Sequence, residues 1–92
     1  ADPETMNDYA YALNATGDYA QAREFAEALT QRHPRYRQAH ITLSMIYEKL
    51  GRKDLALRSL KRARECSHFE YFISREISRL EKTRLSGYKE AP

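Results

Sequence analysis

Residues 17–34 read GDYAQAREFAEALTQRHP, and residues 51–60, which read GRKDLALRSL, begin the same pattern again. Gly17 and Gly51 lie 34 positions apart. Five further pairs match in size class at the same offset: Ala22 with Ala56, Tyr9 with Leu43, Ala10 with Ser44, Leu13 with Tyr47, and Leu29 with Ala63. Self-similarity at a fixed period of about 20–50 residues is typical of proteins built from stacked structural repeats.

Each repeat is predicted to be a pair of helices joined by a short turn. Asp2 followed by Pro3 favours a helix start, since aspartate caps a helix and proline suits its first position. Gly17 is predicted to end this helix in a left-handed conformation, and Asp18 to cap the next helix. Apolar residues at three- and four-residue spacing then predict one buried stripe on each of five helices. These stripes comprise Met6, Tyr9, Ala10 and Leu13; Ala22, Phe25, Ala26 and Leu29; Leu43, Ser44 and Tyr47; Ala56, Leu60 and Ala63; and Phe69, Ile73, Ile77 and Leu80.

The pattern resembles the tetratricopeptide repeat family, whose repeats pair two antiparallel helices over about 34 residues. In the first repeat the resemblance is carried by Gly17, Asp18, Tyr19, Ala22 and Pro34. In the second it is carried by Leu43, Ser44, Tyr47, Gly51 and Ala56. The second repeat departs from the family at His40, where a large apolar residue is usual, and at His68, where proline is usual.

The resemblance implies an all-α fold, a right-handed α-solenoid of antiparallel helical hairpins with five helices. We expect a single domain over residues 1–92, with repeat one at 3–36 and repeat two at 37–70. A capping helix at 71–86 and a frayed tail at 87–92 complete this organisation. The last helix is interpreted as a cap because it lacks the turn glycine of the earlier repeats.

Composition agrees with a single folded domain. The chain has 92 residues, of which 41% are hydrophobic and 32% charged, and this balance is that of a globular or helical-repeat protein. No apolar run approaches the length of about 18 residues that a membrane span needs, and no secretory signal is expected. Charge is unevenly divided: residues 1–30 hold six acidic side chains and one basic, and residues 31–92 hold seven acidic and fifteen basic.

The resemblance also implies where a partner would bind. In the family, the first helix of each repeat lines a concave surface, and its positions outside the core meet the ligand. These positions correspond here to Asn7, Tyr11, Asn14, Gln38, Ile41, Met45, Glu48, Phe72, Arg75, Arg79 and Lys82. The implied function is non-enzymatic: a protein–protein interaction or scaffold module that holds a partner peptide or helix in its concave groove.

The chemistry of these positions is mixed. Tyr11, Ile41 and Met45 would form an apolar floor, and a row of basic side chains on the last helix would form one wall. Such a groove suits a partner with apolar anchors and acidic residues. In the alternative interpretation, Ile41 and Met45 pack against the capping helix and the basic row is a solvated face.

One mode of binding known in the family is not expected. Its chaperone-tail receptors clamp a terminal carboxylate with lysine and asparagine side chains. The corresponding positions here are Asn7, Tyr11, Thr42, Phe72 and Glu76. Glu76 would repel a carboxylate, so we predict that this clamp is absent.

Signals for catalysis or cofactors are weak. The three histidines, His33, His40 and His68, lack the spacing of a helical zinc site, and no glycine-rich phosphate loop occurs. Cys66 is interpreted as a buried small hydrophobe, with a reactive thiol beside Arg62 and Arg64 as the alternative. We therefore expect no enzyme activity, no metal and no cofactor. A lone cysteine does not argue for an oxidising compartment, so a cytoplasmic location is the default expectation.

Two other functions remain open. Arg52, Lys53, Arg58, Lys61, Arg62 and Arg64 crowd the fourth helix and could bind a nucleic acid or another polyanion, although no aromatic residues are interleaved with them for base stacking. Alternatively, the acidic first hairpin and the basic later half could associate head to tail, forming a homo-oligomeric scaffold.

Overall fold

The computed structural model describes residues 2–66 and 70–84, apart from the side chains of residues 70–73 and 84. Within them the chain forms five helices: α1 (Pro3–Ala15), α2 (Tyr19–Arg32), α3 (Arg37–Lys49), α4 (Lys53–Glu65) and α5 (Glu70–Arg84). Each helix packs against the next one along the chain, and α1 also contacts α3. The all-α fold of stacked helical hairpins is therefore confirmed. Some predicted features lie outside the described residues, namely His68, Phe69, the side chain of Ile73 and the tail at 87–92.

The turns that end α1 and α3 have the same hydrogen bonds. After α1, the backbone N–H of Gly17 donates to the carbonyl of Asn14 at 3.2 Å, and that of Asp18 donates to the carbonyl of Leu13 at 2.9 Å. This is the Schellman arrangement, and it recurs around Gly51. Gly17 and Gly51 have φ angles of +90° and +77°, which are readily adopted only by a residue without a Cβ. The predicted role of these glycines is confirmed.

The helix caps match the prediction at α1 but not at α2. The Asp2 carboxylate accepts a hydrogen bond from the backbone N–H of Thr5 at 2.7 Å, and this bond holds the pKa of Asp2 below its ordinary value. Asp18 occupies the N-cap position of α2, but its side chain forms no capping bond within the described residues. Its ψ is 61°, whereas that of Asp2 is 163°, so Asp18 lacks the extended backbone from which a side chain reaches the first turn. The prediction that Asp18 caps α2 through its side chain was wrong.

A continuous hydrophobic core runs from the first hairpin to α5. Three of its small residues, Ala10, Ala22 and Ala56, are completely buried, and their small size allows the helices to pack closely. The rest of the core cluster comprises Ala26, Leu43, Ile46, Tyr47, Leu57, Leu60, Ala63, Ile77 and Leu80.

Among the described residues of the predicted stripes, Tyr9 is exposed, while Met6, Leu13 and Phe25 are half-buried. Tyr9 is 52% exposed, whereas Leu43, 34 positions later, is 5% exposed. The difference arises because α2 packs against α3, while no described helix precedes α1.

A polar cluster joins the two hairpins. Tyr47 of α3 donates its hydroxyl hydrogen to the carboxylate of Glu27 on α2. Arg23, also on α2, binds the same carboxylate oxygen at 2.9 Å, and its guanidinium carbon lies 5.4 Å from the centre of the Tyr47 ring. Arg23 thus neutralises Glu27 and covers Tyr47, which fixes α2 against α3.

The carbonyl oxygen of Pro34 accepts two hydrogen bonds from the second hairpin. His40 Nε2 lies 2.7 Å from this oxygen, and Cys66 Sγ lies 3.6 Å from it. His40 stands where the family usually has an apolar residue, and its side chain is buried. The hydrogen bond to Pro34 provides this buried polar ring with a partner. Cys66 is half-buried and its thiol makes this polar contact, which differs from the buried small hydrophobe predicted for it.

Candidate functional site

Side chains from α1 and α3 line a groove with a volume of about 200 Å³. The lining residues, which define the α1–α3 groove, are Asn7 and Tyr11 from α1 and Gln38, Ile41, Thr42 and Met45 from α3. Five of these six residues are among the partner-binding positions predicted from the sequence, and the structure brings them together. Thr42 had been considered only as a clamp position. It is buried at the floor of the groove, and the sequence alone did not identify it as a partner-binding position.

Exposure varies among the side chains of the α1–α3 groove. Tyr11 is 51% exposed, while Ile41 and Met45 are half-buried. Ile41 also packs against the core cluster. The groove therefore has an apolar floor anchored in the core and one large aromatic ring that projects from it.

Asn14 does not line this groove, although the sequence placed it there. It is 7% exposed, and its Oδ1 has no hydrogen-bond partner within the described residues. Glu48 stands 34 positions later and is half-buried, and its longer side chain reaches α5. The side chain of Asn14 is shorter than that of Glu48 and stays close to α1. This explains why Asn14 is buried while Glu48, at the equivalent position of the second repeat, is half-buried.

Basic side chains gather on one face of α5. A second cavity of about 510 Å³ is lined there by Ser74, Arg75, Ser78, Arg79, Lys82 and Thr83, which together form the α5 shelf. It includes the three cations of the predicted basic row. The side chain of Phe72, also predicted for this wall, lies outside the described residues.

Arg79 is held by two carboxylates. Its guanidinium lies 3.2 Å from Glu48 of α3 and 3.1 Å from Glu76 of α5. The bond to Glu48, with a smaller contribution from Glu76, raises the pKa of Arg79. The predicted basic row is therefore partly neutralised from within the chain, and the Glu48–Arg79 pair joins the α5 shelf to α3. The sequence did not predict this pairing, because it joins residues 31 positions apart.

The cations of α4 are mostly exposed, and some are paired. Lys61 lies 3.6 Å from Glu81, and Arg52, just before the helix, lies 3.2 Å from Asp54. Arg58 and Arg62 are exposed. Among the described residues, no group of three or more metal-ligating side chains could hold a metal ion. None of the described helices combines the length and apolarity of a membrane span.

The repeated Schellman turns, the alternation of helices and the groove between successive first helices define a helical-repeat protein. The sequence profile of the family described as Tetratricopeptide repeat matches residues 3–70. The chain therefore belongs to the tetratricopeptide repeat family, and the fold is a helical-repeat solenoid. No curated protein matches the chain. Members of the family generally mediate protein–protein interaction and scaffolding, and their repeats are typically not catalytic.

Proposed function

We propose that this chain is a non-enzymatic interaction module that binds a peptide or helix of a partner protein in the α1–α3 groove. The observation that carries the proposal is the meeting of Tyr11, Ile41 and Met45 around one cavity. Aromatic and methionine side chains are enriched in the cores of protein interfaces, where they provide large contact areas. In this proposal, repeat one, repeat two and the capping α5 act as a single binding unit.

The chemistry of the groove supports a partner with at least one apolar anchor. The floor made by Ile41 and Met45 would take an aliphatic or aromatic side chain, and Tyr11 would pack over it. Gln38 lines the groove and is exposed, so its amide would bond to the partner's main chain. A few buried anchors surrounded by polar contacts are the usual source of affinity in such complexes.

The charges beside the groove support acidic residues in the partner. Arg75 and Lys82 are exposed on the α5 shelf, and Arg79 of the same shelf is paired with Glu48 of α3, the helix that also lines the groove. A partner carboxylate would compete with Glu48 for Arg79, so binding of an acidic partner would rearrange an ion pair already present. Ion pairs of this exposure contribute about 1 kcal/mol or less, which makes the exchange feasible.

The test uses peptides selected from a random displayed library against the intact chain. The selected peptides are labelled, and their affinity is measured by fluorescence anisotropy for wild type and for two variants, Tyr11→Glu and Tyr9→Glu. Tyr9 provides a matched control because it lies on the same helix, is 52% exposed against 51% for Tyr11, and is outside the groove.

We expect Tyr11→Glu to weaken binding at least about tenfold, equivalent to about 1.4 kcal/mol. Tyr9→Glu should leave the affinity of these peptides within about twofold of wild type. Selection of peptides with an apolar anchor and acidic residues would support the partner chemistry. Equal binding by wild type and Tyr11→Glu, or a selection that enriches no sequence, would contradict the proposal.

A further inference from the structure

A second apolar surface lies at the opposite side of the first hairpin. It surrounds a cavity of about 420 Å³, and its residues, which define the N-terminal face, are Tyr9, Leu13, Gln21, Glu24, Phe25 and Ala28. The Tyr9 and Phe25 rings meet edge to face with their centres 4.9 Å apart, an arrangement that stabilises aromatic pairs. Tyr9 is nevertheless 52% exposed, and Leu13 and Phe25 are only half-buried.

The second hairpin indicates what kind of element covers this face. The positions 34 residues after Tyr9 and Leu13 are Leu43 and Tyr47, which are 5% and 7% exposed. They are buried because α2 packs on α3. The contact includes Arg23 over the Tyr47 ring and the hydrogen bond from Tyr47 to Glu27. The element that covers this position within the chain is thus an amphipathic helix with a stripe of small residues, Ala22 and Ala26.

The charge of the first hairpin restricts which kind of molecule can cover the N-terminal face. Residues 2–32 carry six acidic side chains and two basic ones, and one of the basic residues, Arg23, is bound to Glu27. Glu24 lines the cavity itself. Two copies of this acidic face would repel each other, which disfavours a symmetric dimer through it. The side chains that line the α5 shelf are serine, threonine, arginine and lysine, so the shelf does not offer a second copy the stripe of apolar side chains that the face needs.

From the repeat geometry and the charge we infer that the N-terminal face is a separate docking surface for an amphipathic helix with basic flanks, supplied by a partner protein. The helix packs on Leu13 and Tyr9 as α2 packs on Tyr47 and Leu43. Its apolar stripe covers the exposed rings, and its basic side chains lie within the reach of the acidic hairpin, since charges interact over about 10 Å at ordinary salt. This surface and the α1–α3 groove belong to different faces of α1, so both can be occupied together.

The test uses two synthetic helical peptides that share the apolar stripe of α2, residues 18–33. One peptide has lysine and the other glutamate at four of the exposed positions of α2, namely Ala20, Glu24, Ala28 and Gln31. Circular dichroism establishes that their helix contents match, and anisotropy measures their binding to the full chain at low and high salt. The protein variants are Tyr9→Glu, Tyr11→Glu as its matched control, and Glu24→Lys.

The lysine peptide should bind the wild-type chain at least about tenfold more tightly than the glutamate peptide at low salt, and salt should reduce this ratio. Tyr9→Glu should weaken binding of the lysine peptide about tenfold, while Tyr11→Glu changes it by less than about twofold. Glu24→Lys, a substitution at an exposed position that folding tolerates, should reduce the preference for the lysine peptide.

Three results would overturn the inference. In the first, neither peptide binds; in the second, the glutamate peptide binds as well as the lysine peptide. The third is growth of the scattering mass with protein concentration that Tyr9→Glu abolishes, because it would assign the face to a second copy of the chain. These results leave the groove proposal untouched, since that proposal is tested by Tyr11→Glu with selected peptides.

Discussion

The hydroxyl of Tyr47 and the carboxylate of Glu27 form a hydrogen bond across the boundary between the two hairpins. Tyr47 belongs to α3 and is 7% exposed, while Glu27 belongs to α2 and is also bound by Arg23 at 2.9 Å. Hydrophobic packing alone would allow the two hairpins to slide, because it is not directional. The hydrogen bond gives their contact a defined register.

Replacing Tyr47 by phenylalanine should destabilise the domain without changing its fold. The substitution keeps the ring and its contact with Arg23 but removes the hydroxyl, so we expect a loss of about 1 kcal/mol, typical for one hydrogen bond. Urea unfolding followed by circular dichroism measures this difference. Tyr11→Phe removes an exposed hydroxyl and is the control. Equal stability of wild type and Tyr47→Phe would mean that the bond contributes nothing to the boundary.

The same residue should give the domain an alkaline pH dependence. Burial, then the hydrogen bond and charge of Glu27, raise the pKa of Tyr47 from 10.0 to about 12. A raised pKa means that the folded state favours the protonated phenol. The resulting stabilisation is fully present below pH 10 and is lost as the pH rises toward 12. The difference in unfolding free energy between wild type and Tyr47→Phe should therefore shrink over this range, and a constant difference would contradict the assignment.

Both turn glycines should resist substitution for a conformational reason alone. Gly17 and Gly51 have positive φ angles, and a Cβ added at either position would meet no atom within 4 Å. We expect Gly17→Ala and Gly51→Ala to cost about 1–2 kcal/mol each, the cost of a left-handed L-residue. D-Alanine at the same positions, introduced by chemical synthesis, should restore or exceed wild-type stability. A D-alanine chain as unstable as the L-alanine chain would show that space, not φ, limits these sites.

The small residues between helices should not tolerate enlargement. Ala56 is completely buried in the core, so Ala56→Leu should cost about 1–3 kcal/mol through overpacking. The thermal midpoint should fall by about 4–8 °C for each kcal/mol lost in a domain of this size. Ala20→Leu, at an exposed position of α2, is the control and should have little effect. An unchanged midpoint for Ala56→Leu would refute the close approach of helices at this residue.

The ion pair between Glu48 and Arg79 should regulate binding of acidic partners. If partner carboxylates compete for Arg79, Glu48→Gln will strengthen binding of acidic groove peptides about two- to fivefold, which is less than about 1 kcal/mol. The affinity of peptides without acidic residues should not change. Glu65→Gln removes an exposed carboxylate on α4 and controls for net charge. Weaker binding of acidic peptides by Glu48→Gln would instead mean that Glu48 positions Arg79 for the partner.

Most of the fold could be predicted because its determinants are local or periodic. The 34-residue offset located both turns, and Gly17 and Gly51 adopt the left-handed conformations expected of them. Core positions with small residues, such as Ala22 and Ala56, were also predicted correctly. Ile46 and Leu57 were missed although both are buried in the core cluster, because each lies beside the single stripe that was traced on its helix.

The candidate site was less predictable because its details depend on contacts between helices. The offset placed Tyr11, Ile41 and Met45 on one side, and they line one cavity. It could not distinguish the buried Asn14 from the half-buried Glu48, since side-chain length decides how far each extends. Nor could it predict that Arg79 is neutralised by Glu48, because no sequence period connects those residues.

The carbonyl of Pro34 has a consequence for how the two hairpins move. It belongs to the connection after α2, yet it is bound by His40 at the start of the second hairpin and by Cys66 at its end. A connection held at both ends of the following hairpin is a poor hinge, so changes in the angle between hairpins are restrained. The curvature of the solenoid is therefore set before any partner arrives, and a partner that fits it loses less entropy on association than one that must first bend the array into shape.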